Sequence, residues 1–194
     1  LAHYPAAYGV DRTAGSNPIR QPLANLNEAG TLYGSIIYEK APIVVRQLER
    51  LIGEEALREG LREYLRTYAY ANADWTDLVT ILTRQSEDDL VEWSRVWVEE
   101  SGRPRIHANL VTAEGLVTQL VLEQEDPAGD GRHWNQRFDV YLGYQAGRSY
   151  TTSAHLRGAS VEVPTVIGRP EPDYILANGA GVACGSMRLD ERFK

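Results

Sequence analysis

The spacing of apolar residues changes at Pro104, and this change constrains the fold of the 194-residue chain more than any other feature. Before Pro104, apolar residues recur every three or four positions, which is the period of a helix with one buried face. After Pro104, apolar and polar residues alternate, as they do in strands with one buried face. The sequence therefore predicts an α+β chain: an N-terminal all-helical subdomain over residues 1–103, followed by a small antiparallel β-sandwich domain over residues 104–194.

The helical half is predicted to begin after residue 30, because residues 1–30 are rich in proline, glycine and other turn formers. Gly53 ends the first helix as a C-cap, and Asp74 is the predicted N-cap of the third helix, with Asp77 placed to complete a capping box. A proline at position 42 is tolerated in the first turn of a helix but would kink a helix that began at Leu32. The four predicted helices cover about residues 43–52, 57–68, 75–82 and 88–101.

The β half is predicted from alternating segments that turn-forming residues separate. One alternating segment buries Ile106, Ala108 and Leu110, and a second buries Phe138, Val140 and Leu142. The predicted turns lie at residues 114–115, 126–131, 145–147 and 178–181. Turns at these intervals are typical of a small antiparallel sandwich.

Charge and composition exclude several classes of partner. The formal net charge is −7 and no arginines cluster into a basic stripe, so we expect no nucleic-acid partner. The sequence contains no run of about 18 apolar residues, so we expect no membrane segment. The single cysteine, Cys184, excludes an internal disulfide and cannot by itself form a cysteine-based metal site. These features leave the localisation of the protein unknown.

Known catalytic motifs are missing from the sequence. A zinc hydrolase motif would place two histidines one helical turn apart with a glutamate between them. The four histidines, His3, His107, His133 and His155, are instead isolated in sequence and indicate surface or hydrogen-bonded side chains. There is no Gly-x-Ser-x-Gly elbow and no glycine-rich phosphate loop. The residues themselves therefore predict no metal ligand and no cofactor-binding residue.

A longer pattern is more informative. The run YEKAPIVVRQLERLIGEEALREGLREYLRTYAYANADWTDLVTIL, followed by WVEESGRP, resembles the segment after the zinc site in M1-family (gluzincin) aminopeptidases. Ser16–Ile19 resembles the family's Ser-His-Pro-Ile, with Asn17 in place of histidine, and PDYILANGAGVA resembles the end of the family's β-sandwich domain. The matching positions are Tyr38, Lys40, Leu51, Gly53, Glu54, Tyr64, Asn72, Ala73, Asp77, Leu78, Trp97, Gly102 and Pro104.

The resemblance implies that residues 1–103 are the C-terminal part of a metallo-aminopeptidase catalytic domain. In that family the tyrosine at the position of Tyr38 stabilises the oxyanion of the tetrahedral intermediate, and Tyr33 is a second, weaker candidate. The full-length parent would use zinc to remove N-terminal residues from peptides. Its zinc-binding motif would lie upstream of Leu1, so we expect no zinc in this fragment and no activity from it alone. The alternative is a non-catalytic M1-like scaffold or protein-interaction module.

Two interpretations of Tyr38 follow. If Tyr38 is a packing residue, its ring is buried and its hydroxyl is hydrogen-bonded. If Tyr38 is the oxyanion donor, it lies at the start of the first helix, with its ring packed by neighbours and its hydroxyl accessible. Ala41 stands where the family usually has glycine, so the resemblance does not fix the orientation of Tyr38.

Overall fold

Residues 36–178 and 185–188 are described by the computed structural model, together with residues 16–23 and the single residues 9, 25, 27, 30 and 34. The chain divides into two compact units, one formed by Ala2–Ser101 and the other by Gly102–Lys194 with Leu1. The first unit is helical and the second is built from strands. The predicted α+β class, with a helical part followed by a β-sandwich, is confirmed.

From residue 36 onward, the helical unit contains four α-helices and two π-helical turns. No helix in the described part of the chain is long and apolar enough to cross a membrane. In chain order, the elements are a π-helical turn at Ile36–Lys40, α1 (Ala41–Ile52), α2 (Glu54–Thr67), α3 (Trp75–Thr83), α4 (Leu90–Ser94) and a second π-helical turn at Arg95–Glu99.

The helix ends follow the predicted caps. Gly53 ends α1 with a φ of 90°, and its N–H donates to the carbonyl of Glu49 at 2.8 Å. Asp74 caps α3 by accepting hydrogen bonds from the N–H groups of residues 76 and 77, and Asp77 completes the capping box. The fourth helix is shorter than the predicted range of about residues 88–101, because α4 has Asp89 as its N-cap and ends at Ser94, where the second π-helical turn begins.

The helical unit has an apolar core to which α2 contributes a glycine. A Cβ atom at Gly60 would lie 2.3 Å from Cδ2 of Leu82, so the backbone of α2 at this position packs directly against a buried side chain of α3. This contact explains a glycine in the middle of a helix, where it is otherwise unfavourable. The buried apolar residues are Ile36, Ile43, Val44, Leu48, Leu51, Val79, Ile81, Leu82, Leu90, Trp93, Val96, Trp97 and Val98.

The β unit contains two sheets in its described part. One sheet has the strand order β5-β2-β1-β7 and the other has the order β4-β3-β6. All pairs are antiparallel except β1 with β7, which is parallel. The strands are β1 (Arg105–Ala113), β2 (Leu116–Glu125), β3 (Gln136–Gly143), β4 (Ser149–Leu156), β5 (Ser160–Glu162), β6 (Tyr174–Leu176) and β7 (Ser186–Arg188).

The sandwich core forms from the residues whose alternation predicted it. Phe138, Val140 and Leu142 are each 0% exposed on β3, and the predicted apolar residues of β1 are also buried. Glu114 and Gly115 both have positive φ and form the turn between β1 and β2. The prediction of a last turn at residues 178–181 falls mostly outside the described residues.

The loop between β2 and β3 is organised by a buried ion pair. The carboxylate of Asp126 accepts hydrogen bonds from Nε and Nη2 of Arg132 at 2.8 and 2.9 Å. It also accepts from the N–H groups of Ala128 and Arg132 at 3.0 and 3.2 Å. Its side chain is 3% exposed, and these bonds, above all those from Arg132, lower the pKa of Asp126 to about 2.

Candidate functional site

Tyr38 lies in the middle of the π-helical turn that precedes α1. The N–H groups of Ile37 and Tyr38 donate to the carbonyl of Gly34 at 3.1 and 3.0 Å. Tyr38 stands just before the first α-helix, near the predicted position, and the turn that contains it is π-helical rather than α-helical. Single π-helical turns of this kind occur frequently at functional sites.

Pro42 gives a local reason for the π-helical turn. In a regular α-helix, the N–H of residue 42 would donate to the carbonyl of Tyr38, but proline has no N–H. The regular helix accordingly begins at Ala41, with Pro42 in its first turn. The prediction of a helix start close to Tyr38–Ala41 is confirmed.

Exposure distinguishes Tyr38 from the other residues of the turn. Tyr38 is 62% exposed, whereas Ile36 and Lys40 are 5% and 1% exposed. The turn is thus anchored in the core at both ends and presents the tyrosine outward between the anchors. The burial expected of a core tyrosine is not seen, and the ring is also less enclosed than the packed ring that we expected for an oxyanion donor.

Lys40 is the feature of this site that the sequence patterns did not single out. It entered the prediction only as a matched position, yet it is the most buried charged side chain among the described residues. A signal was present, because Lys40 and Lys194 are the lysines of a chain in which arginine supplies nearly all the positive charge. Burial in the core, however, cannot be read from that composition.

The other candidate residues do not gather around Tyr38 in the described structure. Tyr33 and His3 lie outside the described residues. His155 is hydrogen-bonded to Oδ1 of Asn135 at 2.9 Å, as expected for an isolated histidine. In the ranges that the structure describes, no group of three or more histidine, cysteine, aspartate or glutamate side chains could hold a metal ion. The described histidine, cysteine, aspartate and glutamate residues therefore do not fit a zinc site.

The family model described as the peptidase family M1 domain matches residues 1–98, which is half of the chain. This protein belongs to peptidase family M1. The matched residues of this M1 chain include the whole π-helical turn with Tyr38 and all four helices of the described helical unit. The resemblance noted in the sequence is confirmed.

The relatives of this M1 chain are much longer than the chain itself. It is 28% identical over 201 aligned residues to aminopeptidase N of Streptomyces lividans. This alignment covers 96% of the chain and 23% of that protein. It is also 32% identical over 122 residues to aminopeptidase M1-B of Oryza sativa subsp. japonica. This second alignment covers 63% of the chain and 14% of that protein. The chain therefore spans less than a quarter of the length of these relatives.

A solved structure shows the same fold. The crystal structure of Legionella pneumophila aminopeptidase A in complex with aspartic acid matches this M1 chain with a TM-score of 0.60 and 17% sequence identity. The match covers 98% of the chain and 23% of the solved one. It therefore extends through the β-sandwich, which lies beyond the residues of the family model.

Proposed function

We propose that this M1 chain is part of a zinc-dependent aminopeptidase that removes N-terminal residues from peptides. Residues 1–103 would be the C-terminal part of its catalytic domain, and residues 104–194 would be the β-sandwich domain that follows. The observation that carries the proposal is the exposed Tyr38 in a core-anchored turn, inside the segment that matches the family.

Tyr38 would act as a hydrogen-bond donor to the oxyanion that develops during attack on the scissile carbonyl. A tyrosine hydroxyl is protonated at neutral pH and can donate to a negatively charged oxygen. Such a donor is effective when it is held in position before the charge develops, because little reorganisation is then needed. A turn with both ends buried meets that requirement, and the exposure of Tyr38 leaves its ring within reach of a bound substrate.

In this proposal, the zinc ligands of the enzyme would lie in a longer polypeptide that contains this chain. The described residues form no group that could bind zinc, so the role assigned to this chain is to shape the cleft and to supply the oxyanion donor. We propose Tyr33 as a second contributor, because it precedes Tyr38 by five residues in the matched segment. The 194-residue chain alone is expected to be inactive.

The test is a pair of variants in the longer polypeptide that contains this chain. Tyr38→Phe should lower kcat for aminoacyl reporter substrates by about a hundred- to a thousand-fold and leave KM nearly unchanged, since one preorganised donor is lost. The matched control is Tyr70→Phe, because Tyr70 lies in the same unit and is fully exposed on a loop. This control should leave both constants unchanged.

Two outcomes would contradict the proposal. Equal kcat values for Tyr38→Phe and the unaltered protein would remove Tyr38 from catalysis. A folded longer polypeptide that binds no zinc and hydrolyses no peptide would instead favour a non-catalytic M1-like scaffold. A Tyr33→Phe variant in the same assay would show whether Tyr33 contributes.

A further inference from the structure

We propose that the outer edge of β4 binds an extended segment of a partner protein, which adds an antiparallel strand to the sheet β4-β3-β6. The segment has apolar side chains at alternate positions and an acidic residue near its C-terminal end. β4 lies at one edge of this sheet and runs over eight residues, Ser149–Leu156. This docking would not depend on the catalytic role of Tyr38.

The hydrogen-bond pattern of the sheet shows which backbone groups of β4 face outward. β3 and β4 pair antiparallel, and one step beyond their last pair the N–H of Tyr144 donates to the carbonyl of Arg148 at 3.0 Å. Hydrogen-bonded pairs alternate along an antiparallel ladder, so the even-numbered residues of β4 bond to β3. The N–H and C=O groups of Ser149, Thr151 and Ser153 therefore point away from β3. These three residues are exposed, and none has a backbone partner on that side among the described residues.

β4 lacks the features that usually protect an edge strand. Soluble proteins blunt such edges with short strands, lysine, proline or bulges, because a long open edge pairs readily with another strand. The other described edge strands, β5, β6 and β7, have only three residues each. The sequence of β4, SYTTSAHL, contains no lysine or proline, and its register with β3 has no bulge. Addition of a strand to such an edge is a common mode of peptide recognition.

The inward face of β4 indicates which side chains the segment needs. Even-numbered residues of β4 face the core, and Ala154 and Leu156 at one end are 5% and 0% exposed. Tyr150 and Thr152 at the other end are only half-buried. An added strand would cover this part of the core with every second side chain, since side chains of a strand alternate between faces. Apolar residues at alternate positions therefore favour docking.

The charge near β4 favours an acidic residue in the segment. No aspartate or glutamate lies between Asp139 and Glu162, although the net charge of the chain is −7. Arg148 precedes β4, is exposed, and makes no side-chain hydrogen bond or ion pair with a described residue. Arg157, at the other end of β4, already has a contact partner. The β4 strand of a second copy contains no acidic residue that could pair with Arg148, so a different, acidic partner fits this edge better.

The direction of the segment follows from the sheet. All pairs of the sheet β4-β3-β6 are antiparallel, and antiparallel pairing is the more stable arrangement. A segment that runs antiparallel to β4 has its C-terminal end beside the start of β4. An acidic residue at that end therefore lies close to Arg148.

The test uses fluorescence anisotropy to measure binding of labelled peptides to the unaltered 194-residue chain. The probe is a blocked peptide of about ten residues, enough to cover β4, with alternating valine and threonine and two glutamates at its C-terminal end. In antiparallel pairing with the valines toward the core, the threonine N–H groups face β4. N-methylation of the threonines should therefore weaken binding by more than about ten-fold, and N-methylation of the valines should change it by less than about two-fold.

Two further comparisons test the charge and the edge. A peptide with the glutamates moved to its N-terminal end should bind about five-fold more weakly, and this difference should vanish in Arg148→Gln. Arg66→Gln, which removes an exposed positive charge from α2, is the matched control and should leave the difference unchanged. Thr151→Pro removes an outward N–H but no hydrogen bond to β3. This variant should therefore fold and bind the probe more than about ten-fold more weakly.

Three outcomes would overturn the proposal. The first is no saturable binding of the probe, or valine methylation that weakens binding as much as threonine methylation, because no antiparallel ladder then forms with β4. The second is equal binding of the peptides with glutamates at either end, which would remove the acidic residue from the partner. The third is a dimer of the chain that Thr151→Pro abolishes, which would show that a second copy occupies this edge. If Thr151→Pro does not fold, the N-methylated peptides test the edge on the unaltered chain.

Discussion

The Asp126–Arg132 ion pair should make the stability of the β unit depend on pH. The Asp126→Asn substitution removes the charge of the buried carboxylate but keeps the shape of the side chain. The pKa of Asp126 falls from 3.8 to about 2 in the folded protein. At about 1.36 kcal/mol per pKa unit, this shift corresponds to about 2.5 kcal/mol of folding free energy at neutral pH. Asp126→Asn should therefore lower the free energy of unfolding by about that amount at pH 7.

The sign of the pH dependence follows from the direction of the shift. A carboxyl group whose pKa is lower in the folded state stabilises that state when it is ionised in both states, which means above about pH 4. As the pH falls from about 4 through the folded pKa of about 2, this contribution is lost. The stability difference between the unaltered chain and Asp126→Asn should accordingly shrink over this range.

The assay is urea denaturation of the 194-residue chain between pH 7 and pH 2.5, followed by fluorescence. Trp134 is a local probe, because the Arg132 guanidinium lies 4.8 Å from the centroid of its ring. The matched control is Asp130→Asn, since Asp130 also faces Arg132, at 3.9 Å, but is 69% exposed. An exposed pair contributes about 1 kcal/mol at most, so this control should change stability little.

Two results would refute the reasoning. If Asp126→Asn costs no more than Asp130→Asn at pH 7, the buried carboxylate does not stabilise the loop. If the cost of Asp126→Asn is the same at pH 7 and pH 2.5, the loss comes from side-chain geometry and not from charge.

Three further predictions concern the helical unit and the chain as a whole. Gly60→Ala should lower the free energy of unfolding by about 1–3 kcal/mol in urea denaturation, although alanine favours helices, because its Cβ would lie 2.3 Å from Cδ2 of the fully buried Leu82. An unchanged midpoint would show that the side chain of Leu82 can move aside at no cost. Asp74→Ala should cost about 1 kcal/mol in the same experiment, because α3 loses the carboxylate that accepts two of its N–H groups, and equal stability would contradict the capping box. The purified 194-residue chain should contain no stoichiometric zinc in metal analysis, and it should not hydrolyse aminoacyl reporters. One tightly bound zinc per chain would show that its own residues form a metal site.

The elements of this chain were predictable where short-range chemistry determines them. Gly53 ends α1 because its φ of 90° is open to glycine and unfavourable for other residues. Asp74 begins α3 because its side chain reaches N–H groups only two and three residues away. The alternation around Val140 places its strand because side chains of a strand point to opposite faces. The position of Tyr38 followed from its place in a family pattern, and its role stays a prediction.

The arrangement of these elements depended on contacts between residues that are far apart in sequence. The parallel pairing of β7 with β1 joins segments about eighty residues apart, and no local pattern indicates which strand lies at that edge. Gly60 is required because of a leucine on another helix. No local pattern in the sequence indicates that Lys40 is buried, but it is 1% exposed in the structure, because the turn that it ends is anchored in the core at that residue. The sequence by itself determined the four helices, two of the strands, the change of class at Pro104 and the family, since each rests on local periodicity or pattern. Tertiary structure alone decided which charges are buried and where a helix backbone meets a side chain of another helix, since these depend on the whole fold.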